Sequence, residues 1–176
     1  MAHFISTELI HYLQGKSMKF YTADLCDKYG DQVQVLDPIL KSYGGAKKMM
    51  GQIVTLKIED NNTSLAQVVK TEGEGKILVV DVSAKYTAVV GDNMMKFALE
   101  NNWAGMVING YVRDTKNTKE IEVGLFALGT CPQKTVPPKE GTLHGELTFG
   151  GVTFREGEYL YADRDGIIVS ANPLEM

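Results

Sequence analysis

The chain has 176 residues, of which 44% are hydrophobic and 23% charged, and 18 basic against 22 acidic side chains give it a formal net charge of -4. A chain of this length and composition predicts one globular domain and excludes a disordered or low-complexity protein. The negative balance disfavours nucleic acid as a primary partner, because its phosphates would be repelled unless the lysines cluster.

The first third of the chain predicts one helix, a turn-rich stretch and one strand. Thr22 is a favourable N-cap and Gly30 a favourable C-terminal residue for a short helix between them. Residues 31–51 are rich in turn-forming residues, and the β-branched content of Gln52–Ile58 predicts a strand. Asn61-Asn-Thr63 can then cap a second helix.

Between residues 76 and 113 the pattern changes from strand to helix and back to strand. Lys76–Val82 is a nearly continuous apolar run, which predicts a strand covered on both faces. Asp92 can cap a helix with one apolar face, and Ala104–Ile108 predicts the next buried strand. This order is typical of a crossover unit whose two strands are parallel.

The last third of the chain predicts antiparallel strands. Ile121–Leu128 is another apolar run, and Cys131–Gly141 is predicted to be an irregular loop because it contains three prolines. Four short strands follow, separated by glycine-containing turns: Leu147-Thr-Phe, Val152-Thr-Phe, Tyr159-Leu-Tyr and Ile167-Ile-Val. The predicted fold class is therefore α/β, a single domain with a mixed sheet that combines a parallel βαβ unit with antiparallel C-terminal strands.

Several weaker signals favour structural explanations. Asp163-Arg-Asp-Gly166 lacks the ligand spacing of a calcium loop and predicts a β-turn. Cys26 and Cys131 form no C-x-x-C pair or disulfide framework, and there is no stretch of about 18 apolar residues and no signal-peptide pattern. We therefore expect a cytoplasmic protein.

The most specific candidate site lies at the two ends of residues 91–114. The backbone of Gly91-Asp92-Asn93-Met94, at a turn from strand to helix, can bind a carboxylate through N–H groups of the first helical turn. Arg113 offers a planar fork for a carboxylate or enolate oxygen, and Asp114 offers a hard oxygen ligand for Mg²⁺ or Mn²⁺. In a crossover unit both ends lie at the same sheet edge. On spacing alone, the alternative is a capped helix followed by a solvent-exposed Arg-Asp pair.

These residues resemble a known family motif. Gly91-Asp-Asn-Met94, followed by Arg113-Asp114, resembles the motif of the divalent-metal-dependent 4-hydroxy-4-methyl-2-oxoglutarate aldolases, which belong to the same family as the regulator of ribonuclease activity A. Further runs look like the ribonuclease-regulator branch: Thr22-Ala-Asp-Leu-Cys-Asp27, Gly44-Gly45, Gly110-Tyr-Val-Arg113, Phe149-Gly-Gly-Val-Thr-Phe154 and Leu160-Tyr-Ala-Asp-Arg-Asp-Gly-Ile-Ile-Val-Ser170. The resemblance begins at Met18, so residues 1–17 are interpreted as an N-terminal extension and residues 18–176 as the domain.

The resemblance implies a homotrimer of a swivelling β/β/α domain with sites near subunit boundaries. The implied reactions are aldol cleavage of 4-hydroxy-4-methyl-2-oxoglutarate, which releases pyruvate, and decarboxylation of oxaloacetate, both through pyruvate enolate. The implied cofactor is a divalent metal cation, Mg²⁺ or Mn²⁺, acting as a Lewis acid. By position, the backbone of 91–94 holds the substrate carboxylate, Arg113 contacts substrate and stabilises its developing charge, and Asp114 ligates metal directly or through water.

A second function within the same family stays open. In the ribonuclease-regulator branch the residue after the arginine need not be acidic, so Asp114 favours a working enzyme. The family often places an acidic residue shortly after this pair, whereas this chain has Thr115-Lys-Asn117. The alternative is a non-catalytic regulator that binds and inhibits ribonuclease E. A menaquinone methyltransferase is disfavoured, because no Gly-rich nucleotide-binding turn follows a first strand.

Overall fold

The computed structural model of the protein describes residues 19–59, 61–135 and 140–176. Residues 1–17, interpreted as an extension, lie outside the described residues together with Met18, Pro137 and Pro138. The helices are α1 (Thr22–Tyr29), α2 (Thr63–Val69), α3 (Asp92–Glu100) and α4 (Thr115–Thr118). The strands are β1 (Val33–Val35), β2 (Lys41–Ser42), β3 (Met49–Lys57), β4 (Ile77–Asp81), β5 (Ala88–Val90), β6 (Gly105–Val112), β7 (Gly124–Thr130), β8 (Thr142–Leu143), β9 (Leu147–Phe149), β10 (Val152–Phe154), β11 (Tyr159–Ala162) and β12 (Ile167–Ser170).

A mixed sheet runs through the molecule in the strand order β1-β12-β11-β3-β4-β6-β7-β2. Strands β3, β4, β6 and β7 are parallel, whereas β11 and β12 are antiparallel to their neighbours. Strands β9 and β10 form a separate antiparallel hairpin. The predicted α/β class, with a parallel unit and antiparallel C-terminal strands, is confirmed. Within the described ranges, no helix has the length and apolar character needed to cross a membrane.

The crossover from β4 to β6 contains a strand that the sequence pattern did not predict. β5 has three residues, all buried, and pairs in parallel with the end of β6. Three residues are too few to show a period, so only the long-range pairing identifies them as a strand. Because β5 leads straight into α3, Gly91 lies one residue beyond the sheet edge.

Two apolar layers cover the central sheet, one on each face. On β6, the side chains of Met106, Ile108 and Val112 pack with α2 and α3, whereas Val107 packs under the C-terminal strands. The pairing of β6 with β7 shifts register between Ile108 and Tyr111, so the regular alternation of side chains is interrupted before Tyr111. The carboxyl end of β6 is less covered than its middle, because Tyr111 is only half-buried there.

Some predicted boundaries differ from the structure. β3 begins at Met49 and not at Gln52, and the stretch 31–51 contains the short strands β1 and β2. β1 pairs with β12 and β2 with β7, so partners distant in sequence stabilise these two short edge strands. A turn-rich composition does not reveal such pairings.

The predicted N-caps Thr22 and Asp92 are both wrong by one position, because each is the first residue of its helix. Tyr21 and Gly91 occupy the N-cap positions, and neither makes a side-chain capping bond. The start of α1 is instead capped from the turn between β11 and β12. The Thr22 N–H and hydroxyl each donate to the Asp163 carboxylate at 2.7 Å.

The predicted β-turn at Asp163–Gly166 is confirmed, and it holds this carboxylate in place. The Asp163 N–H donates to the Gly166 carbonyl at 3.1 Å, and the Asp165 N–H donates to Asp163 Oδ1 at 2.9 Å. Desolvation raises the pKa of the Asp163 carboxyl, but the hydrogen bonds from Thr22 and from the turn lower it more, so its pKa lies below the usual value. The ionised form is therefore stabilised by folding.

We expect Asp163→Ala to lower the free energy of unfolding by about 1–3 kcal/mol, because it leaves two buried donors of Thr22 without an acceptor. A carboxyl with a depressed folded pKa stabilises the fold above its unfolded pKa of about 3.9, and the stabilisation is lost as the pH falls through the folded value. The difference between wild type and variant should therefore shrink below about pH 4. Urea unfolding of wild type and variant at several pH values measures this difference in unfolding free energy. Asp165→Ala, at an exposed position in the same turn, is the matched control. An equal loss of unfolding free energy in both variants would show that Asp163 does not cap α1.

Candidate functional site

The two ends of residues 91–114 meet at the carboxyl edge of the parallel strands. The Arg113 N–H donates to the Val90 carbonyl at 2.9 Å, which extends the pairing of β5 with β6. A Cβ placed on Gly91 would lie 2.5 Å from Asp114 Oδ2 and 3.6 Å from Arg113 Cγ. A side chain at residue 91 would therefore force the Asp114 carboxylate to move, and glycine permits this close approach.

Arg113 and Asp114 lie side by side and are open to solvent. Arg113 Nε is 3.8 Å from Asp114 Oδ2, and Arg113 Nη1 donates to the Pro132 carbonyl at 3.4 Å. Both contacts are long, and the two side chains are 38% and 40% exposed. A ligand can therefore reach both groups, and the weak contacts to protein atoms cost little to exchange.

The backbone of Asp114 is held in an unusual conformation. Its φ is +57° and its ψ is 35°, in the left-handed region, and α4 starts at the next residue. Aspartate and asparagine tolerate this region better than most residues. The turn points the carboxylate back toward the N-terminus of α3, where the Asp92 N–H is 3.4 Å from Asp114 Oδ2.

The N-terminus of α3 supplies main-chain donors to the site. The first N–H groups of a helix lack partners within the helix and carry partial positive charge, so they favour an anion. Asn93 is exposed, whereas the Met94 side chain is buried in the core. Met94 can therefore contribute only its main chain to a ligand.

The Asp92 carboxylate at the start of α3 is bound by two side chains that the sequence did not indicate. Asn117 Nδ2 donates to Asp92 Oδ2 at 3.1 Å, and Lys96 Nζ lies 3.3 Å from the same oxygen. Desolvation raises the pKa of the Asp92 carboxyl, but the hydrogen bonds from Asn117, from Lys96 and from the Asn93 N–H, together with the Lys96 charge, lower it below the usual value. The i, i+4 spacing of Asp92 and Lys96 could have revealed one of these contacts. The Asn117 contact depends on how α4 packs on α3.

The donor set suits a hard, hydrated cation better than a metal enclosed by protein. No group of three or more His, Cys, Asp or Glu side chains comes together within the part of the chain that the structure describes. Mg²⁺ keeps several waters and needs only one or two carboxylates. The contacts recorded for the Asp114 carboxylate within the described residues all involve Oδ2, so Oδ1 can face a hydrated ion. Asp114 therefore fits the implied metal.

Comparison with known proteins places the chain in one family. A family model described as RraA-like, Aldolase/RraA, matches residues 22–169. A protein of Azotobacter vinelandii, named provisionally as a 4-hydroxy-4-methyl-2-oxoglutarate aldolase, is 44% identical over 90% of this chain and 99% of its own length. A Pseudomonas putida protein with the same provisional name is 46% identical over 89% of this chain and 97% of its own.

Two solved structures share the fold over most of their length. The RNA-processing inhibitor RraA from Thermus thermophilis has a TM-score of 0.85 and 34% identity, covering 90% of this chain and 96% of that one. A structure described as an S-adenosylmethionine:2-dimethylmenaquinone methyltransferase from Geobacillus kaustophilus has a TM-score of 0.83 and 35% identity. The match covers 88% of this chain and 97% of that one. The same architecture thus carries three different functional names.

Proposed function

The chain belongs to the RraA-like family, Aldolase/RraA, and from that premise we propose that it is a divalent-metal-dependent lyase. Its substrate is 4-hydroxy-4-methyl-2-oxoglutarate, which it cleaves to pyruvate, and it also decarboxylates oxaloacetate. The observation that carries this proposal is the close approach of Gly91, Arg113 and Asp114 at the N-terminus of α3. This arrangement offers an anion position, a guanidinium and an acidic ligand within one small surface.

Each group has a distinct role in the proposed reaction. The first N–H groups of α3 bind the carboxylate of the 2-keto acid, which fixes the orientation of the substrate. Asp114, with water molecules, would hold Mg²⁺ or Mn²⁺, and the bound cation would polarise the 2-keto group as a Lewis acid. Arg113 stabilises the negative charge that develops on the keto oxygen.

In both reactions the electron pair of the broken bond stays on C3 of the substrate. In aldol cleavage the C4 hydroxyl loses its proton and its oxygen becomes the carbonyl of one pyruvate as the bond between C3 and C4 breaks. The electron pair of that bond forms the enolate of a second pyruvate. In oxaloacetate decarboxylation the bond that breaks releases carbon dioxide and leaves the same enolate. Protonation at C3 then gives pyruvate in both cases. One charge-stabilising arginine therefore serves both substrates, and we leave the base that takes the hydroxyl proton unassigned.

We propose that the working unit is a homotrimer in which a neighbouring subunit completes the site. Asp114 is the one carboxylate that the proposal assigns to the metal, and it is open to solvent. Its remaining ligands would be water molecules or groups from an adjacent subunit. A cation held mainly through water would bind weakly to an isolated chain and better to an assembly that shields it.

The alternative function is protein regulation, with ribonuclease E as the partner. It is favoured by the likeness to the RNA-processing inhibitor from Thermus thermophilis. This function would require neither metal nor Arg113. Methyl transfer has less support, because the chain between β3 and α2, Ile58-Glu-Asp-Asn-Asn62, contains no glycine that would admit a nucleotide phosphate.

A coupled assay separates the two functions. We expect the purified protein with Mg²⁺ or Mn²⁺ to release pyruvate from 4-hydroxy-4-methyl-2-oxoglutarate and from oxaloacetate. A chelator should abolish the release, and excess metal should restore it, because the Lewis acid is supplied by the ion. If no divalent metal supports pyruvate release while the protein inhibits ribonuclease E, the regulatory function replaces the enzymatic one.

A further inference from the structure

Tyr86 and Tyr111 lie at the same end of β6 as Arg113. Tyr86, in the turn between β4 and β5, is 63% exposed. Its ring packs edge to face against Tyr111, with ring centroids 4.9 Å apart and an interplanar angle of 90°. Tyr111 lies two residues before Arg113, so both side chains project from the same face of the strand.

Tyr111 and Arg113 each approach the end of β7. The Tyr111 ring lies beside Gly129 of β7, where an added Cβ would be 3.4 Å from ring atom Cε1. Arg113 reaches the Pro132 carbonyl, just beyond the end of β7. Tyr111 and Arg113 therefore both approach the chain at and just beyond the end of β7.

A strained turn holds Tyr86 in this position. Ser83 and Ala84 both have a positive φ, 53° and 56°, although neither is glycine. The buried Asp81 carboxylate anchors the turn by accepting bonds from the Ser83 N–H and from Asn109 Nδ2, both at 2.8 Å. Strained backbone that the surrounding structure maintains in this way occurs mainly at functional sites.

We propose that Tyr86 and Tyr111 form the wall that contacts the part of the aldol substrate beyond its pyruvyl unit. The inference rests on the proposed function, in which the N-terminus of α3, Arg113 and Asp114 take the pyruvyl unit. The rest of the substrate would then lie against the two rings, which share the carboxyl end of β6 with Arg113. It carries a methyl group, which packs on an aromatic face, and oxygens, which can accept bonds from phenols. Within the described residues, neither phenol has a recorded hydrogen bond to protein.

The wall determines specificity, because oxaloacetate lacks the larger group that the rings contact. Removing a ring should therefore lower the activity on the aldol substrate and leave the activity on oxaloacetate nearly unchanged. We expect Tyr111→Ala and Tyr86→Ala each to lower kcat/KM for 4-hydroxy-4-methyl-2-oxoglutarate by about tenfold or more, and to change that for oxaloacetate by less than about twofold. Tyr86→Phe, which keeps the ring, separates the aromatic contact from the phenol.

Steady-state kinetics with both substrates, at saturating Mn²⁺, tests this expectation. Tyr21→Ala removes an equally exposed tyrosine, 62% accessible at the start of α1, and should leave both activities unchanged. Equal losses on both substrates in Tyr111→Ala would mean that the ring only positions Arg113, and would overturn the inference. So would unchanged kinetics in both alanine variants, or a change of oligomeric state in sedimentation, which would show that the rings form a subunit contact. If the wild type releases no pyruvate from either substrate, the proposed function fails first and this inference fails with it.

Discussion

Replacing Arg113 with alanine should lower kcat/KM for both substrates by about 10²–10³-fold, the loss typical of removing one donor that stabilises a developing oxyanion. The guanidinium is the cationic side chain that the proposal places at the keto oxygen. Its recorded contacts to protein atoms, at 3.8 Å and 3.4 Å, are too long to contribute much to folding. Activity and stability should therefore separate in this variant.

Arg113→Lys is the informative partner of the alanine variant. Lysine keeps the charge but offers a point charge on a flexible stem, and it cannot present two parallel donors. We expect it to recover only a small part of the activity. Pyruvate release with each substrate gives the kinetic effect, and thermal unfolding should show a change in stability within about 0.5 kcal/mol. An alanine variant that kept activity within about threefold of wild type would remove Arg113 from the mechanism.

Replacing Asp114 with asparagine should remove most metal-dependent activity while the turn keeps its shape. Asparagine tolerates the left-handed backbone found here, φ +57°, as well as aspartate does. It differs by lacking the negative charge that binds a hard cation. We expect about 10²-fold lower pyruvate release at fixed Mn²⁺ and a strong rise in the Mn²⁺ concentration needed for half-maximal activity.

Mn²⁺ binding, measured from the spin-resonance signal of the free ion, gives a readout that does not depend on turnover. Asp114→Asn should bind less Mn²⁺ than wild type, whereas Asp165→Asn should bind the same amount. Asp165 suits this control because it is exposed and lies in the turn after β11, near the opposite edge of the sheet. Unaltered Mn²⁺ binding in Asp114→Asn would show that the metal is held elsewhere.

The residue types of the candidate site and their approximate convergence follow from local sequence. The apolar runs of β4 and β6 and the helix between them indicate a crossover, and a crossover brings the turns after its strands to one edge. The positions of Gly91, Arg113 and Asp114 could therefore be predicted together. The close fit of Gly91 against the Asp114 carboxylate could not, because it depends on the distance between two turns.

Contacts between distant segments were the features that the sequence did not reveal. Asp163 caps α1 from 141 positions away, so Thr22 looked like a cap although it is the residue being capped. Strand β5 is too short for a periodic signal and is identified by its pairing with β6. Asn117 looked like a missing acidic residue, but in the folded chain it binds Asp92.

By itself, the sequence determined the fold class, the order of the main elements and the chemical groups available at residues 91–114. These follow from hydrophobic period, turn residues and side-chain chemistry, which act over a few neighbouring positions. The tertiary structure alone decided which side chain caps which helix and that the ring of Tyr86 packs against that of Tyr111. Those pairings depend on how separate segments pack, because a partner distant in sequence leaves no mark on the local pattern.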